Sequence, residues 1–141
     1  MKQFRILALL LALAGLTLVT SCSTDDSPTA MDASQVNPSL LIGKWRNDQS
    51  ASNYKKYTTT TRTLPGGDDS YDKYGSDWTI GETTEDQVGT EFYYKVDGNQ
   101  IKEQYDNAGT PLTRIYTLMT LTSTKLEYFD HFDQVYSFTK Q

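Results

Sequence analysis

The stretch TEFYYKVDGNQIKEQYDNAG, Thr90 to Gly109, most restricts the architecture open to this chain. Phe92, Tyr94 and Val96 alternate with Glu91, Tyr93 and Lys95. A period of two sends successive side chains to opposite faces of a strand, where a helix would gather them on one stripe. Asp97 and Gly98 then offer the tolerance of positive φ that a two-residue hairpin turn demands, and Ile101 and Tyr105 carry the apolar face back along a returning strand. The segment Asp106 to Gly109 marks the next turn.

The same grammar runs from Leu40 to the end. Strands are expected at Gly43 to Asp48, Asn53 to Thr63, Lys73 to Ile80 and Leu112 to Thr122, with two more in KLEYFD and QVYSFTK. In the long Leu112 to Thr122 strand, Ile115, Met119 and Leu121 share one face and Tyr116 and Leu118 the other, which predicts cover on both sides. No stretch holds a 3.6-residue apolar period. Ten Tyr, five Phe and two Trp fit the bias, because aromatic and β-branched residues suit a pleated, half-buried surface. With the Thr90 hairpin the count is eight short consecutive strands, the makings of an antiparallel up-and-down β-barrel, which removes exposed edges by closing on itself. A two-sheet sandwich is the alternative.

The amino terminus follows other rules. Lys2 and Arg5 precede an apolar run from Ile6 to Val19, too short for the roughly 20 residues of a spanning helix and shaped like an export signal. Directly after it comes the chain's single cysteine, Cys22. The four residues VTSC resemble the lipobox of bacterial lipoproteins. The resemblance implies cleavage after Ser21, a diacylglyceryl group on the Cys22 thiol, an acylated new terminus carrying a chain such as palmitate, and a stable membrane anchor, since two or more acyl chains suffice for one. The expected organisation is therefore a lipoprotein signal peptide at 1–21, a flexible tether with lipidated Cys22 at 22–39, and the barrel domain at 40–141. The tether reading rests on STDDSPTAMDASQVNPS, too poor in large apolar side chains to fold alone. Asp25 and Asp26 are similar to the signal that sends some Gram-negative lipoproteins to the outer face of the outer membrane; a solvated charge pair is the other reading.

Thirteen Lys and Arg, two of them lost with the leader, against 18 Asp and Glu leave a mature net charge of −7. That balance argues against nucleic acid and against a basic face lying on anionic lipid. It suits a monomeric domain on a tether.

The segment LIGKWRND, Leu41 to Asp48, carries a glycine, one residue and a tryptophan at the start of the first strand. This G-x-W resembles the motif of lipocalins and the wider calycin superfamily, and the run from LIGKW through YYKVDGNQI to VYSFTKQ resembles the small lipocalin-like domains of bacterial lipoproteins. The resemblance implies that Trp45 closes one end of the barrel and that Gly43 lets the chain pass beneath it. Where an arginine stacks on this tryptophan in the family, the last strand here offers Lys140.

Candidate chemistry is sparse. His131 between Asp130 and Asp133 could be a metal or acid–base site, but a transition metal wants three or four ligands with a supporting shell, and these are ordinary turn residues. Asp68, Asp69, Asp72 and Asp77 lack the calcium-loop pattern and read as a solvated acidic loop. No nucleophile elbow or phosphate-cradling loop is present, so neither an enzyme nor a cofactor is expected, and no catalytic or metal residue is assigned. Trp45, Trp78, Tyr94, Tyr105, Tyr128 and Phe138 are placed facing the barrel interior, where they either fill it or line a pocket for one small ligand. Tyr93 or Phe129 would mark a partner surface on the outside, and the loop Pro65 to Asp72 is exposed. The expected function is an envelope-anchored barrel that binds a small, partly apolar molecule; the alternative is a filled barrel acting on an envelope assembly, a polysaccharide or a foreign protein.

Overall fold

The structure, a computed structural model, describes residues 27–62, 70–79 and 89–141. The leader, Cys22, Asp25, Asp26, Asp68 and Asp69 lie outside them. Eight antiparallel strands run in chain order around a closed barrel: β1 Gly43–Asn47, β2 Asn53–Thr61, β3 Lys73–Thr79, β4 Thr90–Asp97, β5 Gln100–Asn107, β6 Thr110–Leu121, β7 Lys125–Phe129 and β8 Val135–Lys140. Each pairs with its neighbour in sequence, and β8 returns to β1 through Trp45↔Lys140, Arg46↔Thr139 and Asn47↔Phe138. This is the up-and-down, lipocalin-like architecture expected above, and it excludes the sandwich.

Register and alternation fix the inner face. Residues directly opposite each other share a face. From Trp45↔Lys55, Lys55↔Asp77 and Gly75↔Phe92 the inner set passes to Tyr105 and Glu103 on β5, Leu112, Arg114 and Tyr116 on β6, Tyr128 on β7 and Phe138 on β8. Phe92 and Tyr94 are inside and buried, as their alternation predicts.

Three local readings are corrected. The β4–β5 turn is Gly98–Asn99, one residue later than expected: Asp97↔Gln100 is the last strand pair, and Gly98 supplies the positive φ of 57°. Ile115 does not lie on a covered face but is 45% exposed, and Leu121 does not share its side of the sheet. Ile115, opposite Lys102, is on the outer face where β6 runs past β7, and a bulge between Leu118 and Thr120 inserts one extra residue against β7 and turns Leu121 inward to pair with Leu126. Trp78 does not face the interior. It pairs with Tyr54 on the outer surface, the two rings stacked 5.5 Å apart with the Lys44 ammonium over both.

One end of the barrel is packed shut. Trp45, Leu41, Tyr57, Phe92, Ile101 and Leu118 form its buried floor. The Trp45 indole N–H donates to the Leu41 carbonyl at 2.7 Å, so the ring is buried without an orphaned donor. Lys140 lies over that ring, its Nζ 4.9 Å from the centroid and donating to the Leu40 carbonyl at 2.9 Å. Gly43 is at φ 135°, a conformation that residues with a Cβ rarely adopt, and a Cβ there would also press on the Lys140 side chain. The chain leading into β1 also docks on this end. Met31, Val36 and Leu40 pack against the core, short 3-10 turns form at Ala33–Gln35 and Pro38–Leu41, and Met31 N–H donates to the Leu118 carbonyl at 2.8 Å. The last part of the stretch assigned to the tether is therefore seated on the barrel, through apolar residues spaced among its polar ones.

Candidate functional site

Four charged side chains sit on the inner face at mid-height, in two register pairs: Lys55 opposite Asp77 on β2 and β3, and Glu103 opposite Arg114 on β5 and β6. Two of them meet across the interior. The Lys55 ammonium donates to both oxygens of fully buried Glu103, at 3.0 and 2.8 Å. Tyr57 OH at 2.5 Å and Tyr105 OH at 2.7 Å donate to the same carboxylate, so four hydrogen bonds satisfy it. Phe92 and Tyr116 hold their ring centroids 5.1 Å from the ammonium, adding cation–π attraction. Burial opposes the charge on Lys55, but the Glu103 carboxylate outweighs it and holds the lysine well above its ordinary pKa. Burial, reinforced by Glu103, likewise pushes the Tyr57 and Tyr105 hydroxyls up, so both remain donors.

Tyr105 OH also lies 3.1 Å from Asp77 Oδ2. One hydroxyl proton cannot serve two carboxylates. The shorter bond goes to Glu103, and burial, partly offset by Lys55, raises the Asp77 pKa.

Above this layer the barrel is open, with a cavity of about 510 Å³. Its polar side is formed by Asp77, Arg114, Asn47 and Asn53, with Lys55, paired to Glu103, at its base, and its aromatic side by Tyr116, Tyr128, Tyr136 and Phe138. The tyrosine rings stack on one another, Tyr116 on Tyr128 at 4.5 Å and Tyr128 on Tyr136 at 5.5 Å. A second cleft, of about 570 Å³, opens beside the first because β6 outruns β7: their ladder stops at Thr117↔Phe129, and Leu112, Ile115 and His131 border the gap.

The expected site residues divide. Tyr128 and Phe138 line the mouth, and Tyr105 lies beneath it. Trp78 touches only its rim, from the outer face. Trp45 and Tyr94 belong to the closed half, Tyr94 donating to the Thr58 carbonyl at 2.6 Å. Tyr93 is on the outer face but covered, clustered with Tyr71. Asp130 spends its carboxylate on the β7–β8 turn, accepting from Phe132 N–H at 2.8 Å, Gln134 N–H at 3.1 Å and Tyr136 OH at 3.2 Å, while Asp133 takes φ 59°. Among the described residues no three His, Cys, Asp or Glu gather as a metal site. Asp77, read with the acidic loop, is instead an inner-face residue of β3. Lys55, Glu103 and Arg114 escaped the sequence reading; the available signal was a charge on an otherwise apolar face, as in Ile101, Glu103, Tyr105.

Fold and site together define a class: an up-and-down antiparallel barrel, packed at one end and open at the other onto a charged, tyrosine-walled cavity. No family model matches the chain, and no curated protein or solved structure matches it either.

Proposed function

We propose that this protein is a lipoprotein of the Gram-negative outer membrane, held by acylated Cys22, whose lipocalin-like barrel binds a small, partly apolar molecule in its open mouth. The observation that carries the binding half is the cavity of about 510 Å³, within the range of small-molecule sites and joining an aromatic wall to a few converging polar groups. The anchor half rests on VTSC after the apolar run. An aromatic wall with a few converging polar groups suits holding a molecule, and the reading is a carrier.

The test uses full-length protein made in a Gram-negative host with radiolabelled palmitate, extracted in mild detergent and weighed by native mass spectrometry. Label should enter the wild type and not Cys22→Ala, and a small molecule should accompany the wild type but not Thr90→Trp, whose indole would fill the rim. Label surviving in Cys22→Ala removes the anchor; a wild type without any bound molecule removes the carrier.

A second reading, an interaction protein, is favoured by one observation. Leu112, Ile115 and Phe132 are the large apolar side chains most exposed among the described residues, two of them on the overhang of β6. A partner bound there would leave the mouth empty.

A further inference from the structure

We infer that the mouth takes a neutral, polyhydroxylated ring, the terminal sugar of a glycan, laid against the tyrosine wall with its hydroxyl edge between Asp77 and Arg114. This rests on the mouth being a binding site, and deepens that reading by naming the ligand class.

The charge pattern comes first. The layer beneath the cavity holds two cations and two anions, Lys55 and Arg114 against Asp77 and Glu103. Lys55 and Glu103 consume each other, with two tyrosines completing the carboxylate. Asp77 and Arg114 are left facing the cavity from β3 and β6, and no ion pair within 4.0 Å joins them. An anionic ligand would meet Asp77, and a cationic one would meet Arg114. A neutral group that both donates and accepts satisfies the two together, and a sugar's adjacent hydroxyls do this.

The walls set the rest. Asn47 and Asn53 add amides on the polar side, whereas Tyr116, Tyr128, Tyr136 and Phe138 present stacked rings opposite. A pyranose has that same division, with hydroxyls at its edge and C–H groups on its faces. An acyl chain does not: it would strip water from Asp77 and Arg114 and return no hydrogen bond. The Arg114 guanidinium, 4.7 Å from the Tyr105 ring centroid, is held by stacking on that ring, which fixes its position before the ligand arrives. The cavity is open to solvent, so a chain end can enter while the rest of the glycan stays outside.

The test probes detergent-solubilised full-length protein on an array of immobilised mono- and disaccharides with gluco, galacto, manno and amino-sugar termini, with laurate titrated separately against tyrosine fluorescence. At least one terminus should bind, at least tenfold more weakly to Asp77→Asn and to Arg114→Gln, and unchanged for Lys102→Ala on the outer face. Near-UV circular dichroism confirms that the variants keep their tyrosine packing. Tyr136→Ala, which leaves the charges in place, should weaken binding as well. Laurate bound in the mouth with no glycan retained would overturn the sugar assignment and leave the carrier reading standing. Glycan binding indifferent to Asp77, Arg114 and Tyr136 would place the sugar elsewhere and also overturn it. Neither laurate nor any glycan bound would remove both.

Discussion

Glu103 is the side chain whose loss the interior can least absorb. Glu103→Leu would leave the Lys55 ammonium buried without its carboxylate, and breaking a buried pair from one side costs about 3–5 kcal/mol. Urea denaturation should show the midpoint falling with little change in slope, and the double variant Lys55→Met with Glu103→Leu should recover most of the loss, because apolar isosteres remove the desolvation penalty of both ions. Two aspartates give opposite pH dependences. The Lys125 ammonium, with Thr139 and Ser137 hydroxyls, holds Asp48 down to about 2 against the opposing effect of burial. Its contribution, about 1 kcal/mol for a partly exposed pair, is present above the ordinary carboxylate range and disappears as pH falls through about 2. Asp48→Asn should therefore be less stable than wild type at neutral pH and equal to it at the acid end. Asp77 is raised by burial, so its folded form keeps a proton that the unfolded chain has released; stability from it falls as pH rises from about 4 through the raised value. Asp77→Asn should flatten that part of the pH–stability curve. Neither effect was legible in the sequence, since an aspartate in SDW or RND looks the same whether it is solvated or turned into a barrel.

At the scale of elements, legibility followed local chemistry. Strands with clean alternation, such as Phe92, Tyr94 and Val96, were read on the correct face. The turn at Gly98 was misplaced by one residue because Asp97, Gly98 and Asn99 are all turn formers and only cross-strand pairing decides among them. The bulge in β6 left no mark, because it depends on the partner strand, and with it went the assignment of Leu121. Two substitutions test this level. Gly75→Ala would drive a Cβ into the Phe92 ring and to 2.7 Å from the Lys56 carbonyl oxygen, and overpacking of that kind costs about 1–3 kcal/mol in thermal or urea unfolding. Ala108 sits at φ 53° beside Gly109 at φ 84°, both central positions of the β5–β6 hairpin having positive φ as in a type I′ turn. Ala108→Gly should raise stability by roughly 0.5–1 kcal/mol, less than the full left-handed penalty because glycine is freer in the unfolded chain.

For the molecule as a whole, the barrel is two halves with different duties. The end that meets the docked amino-terminal segment is filled by Trp45 and its neighbours, so the segment leading from the proposed anchor is tied to the closed half and the mouth faces away from it. Trp45→Ala should cost about 3–5 kcal/mol, read as a drop in unfolding midpoint. Barrel closure was legible because eight similar strands with short connections have few other ways to cover their edges; the half-open interior was not, because residue types alone do not say how far two carboxylates and two cations push a tyrosine-rich core apart. The most direct test is a high-resolution crystal structure of the full chain. It should show about 510 Å³ above the Lys55–Glu103 pair clear of protein atoms, with Asp77 and Arg114 facing that space and Tyr128, Tyr136 and Phe138 forming its wall. A mouth occupied by the protein's own side chains, with Lys55 and Glu103 enclosed as one more layer of core, would contradict the account.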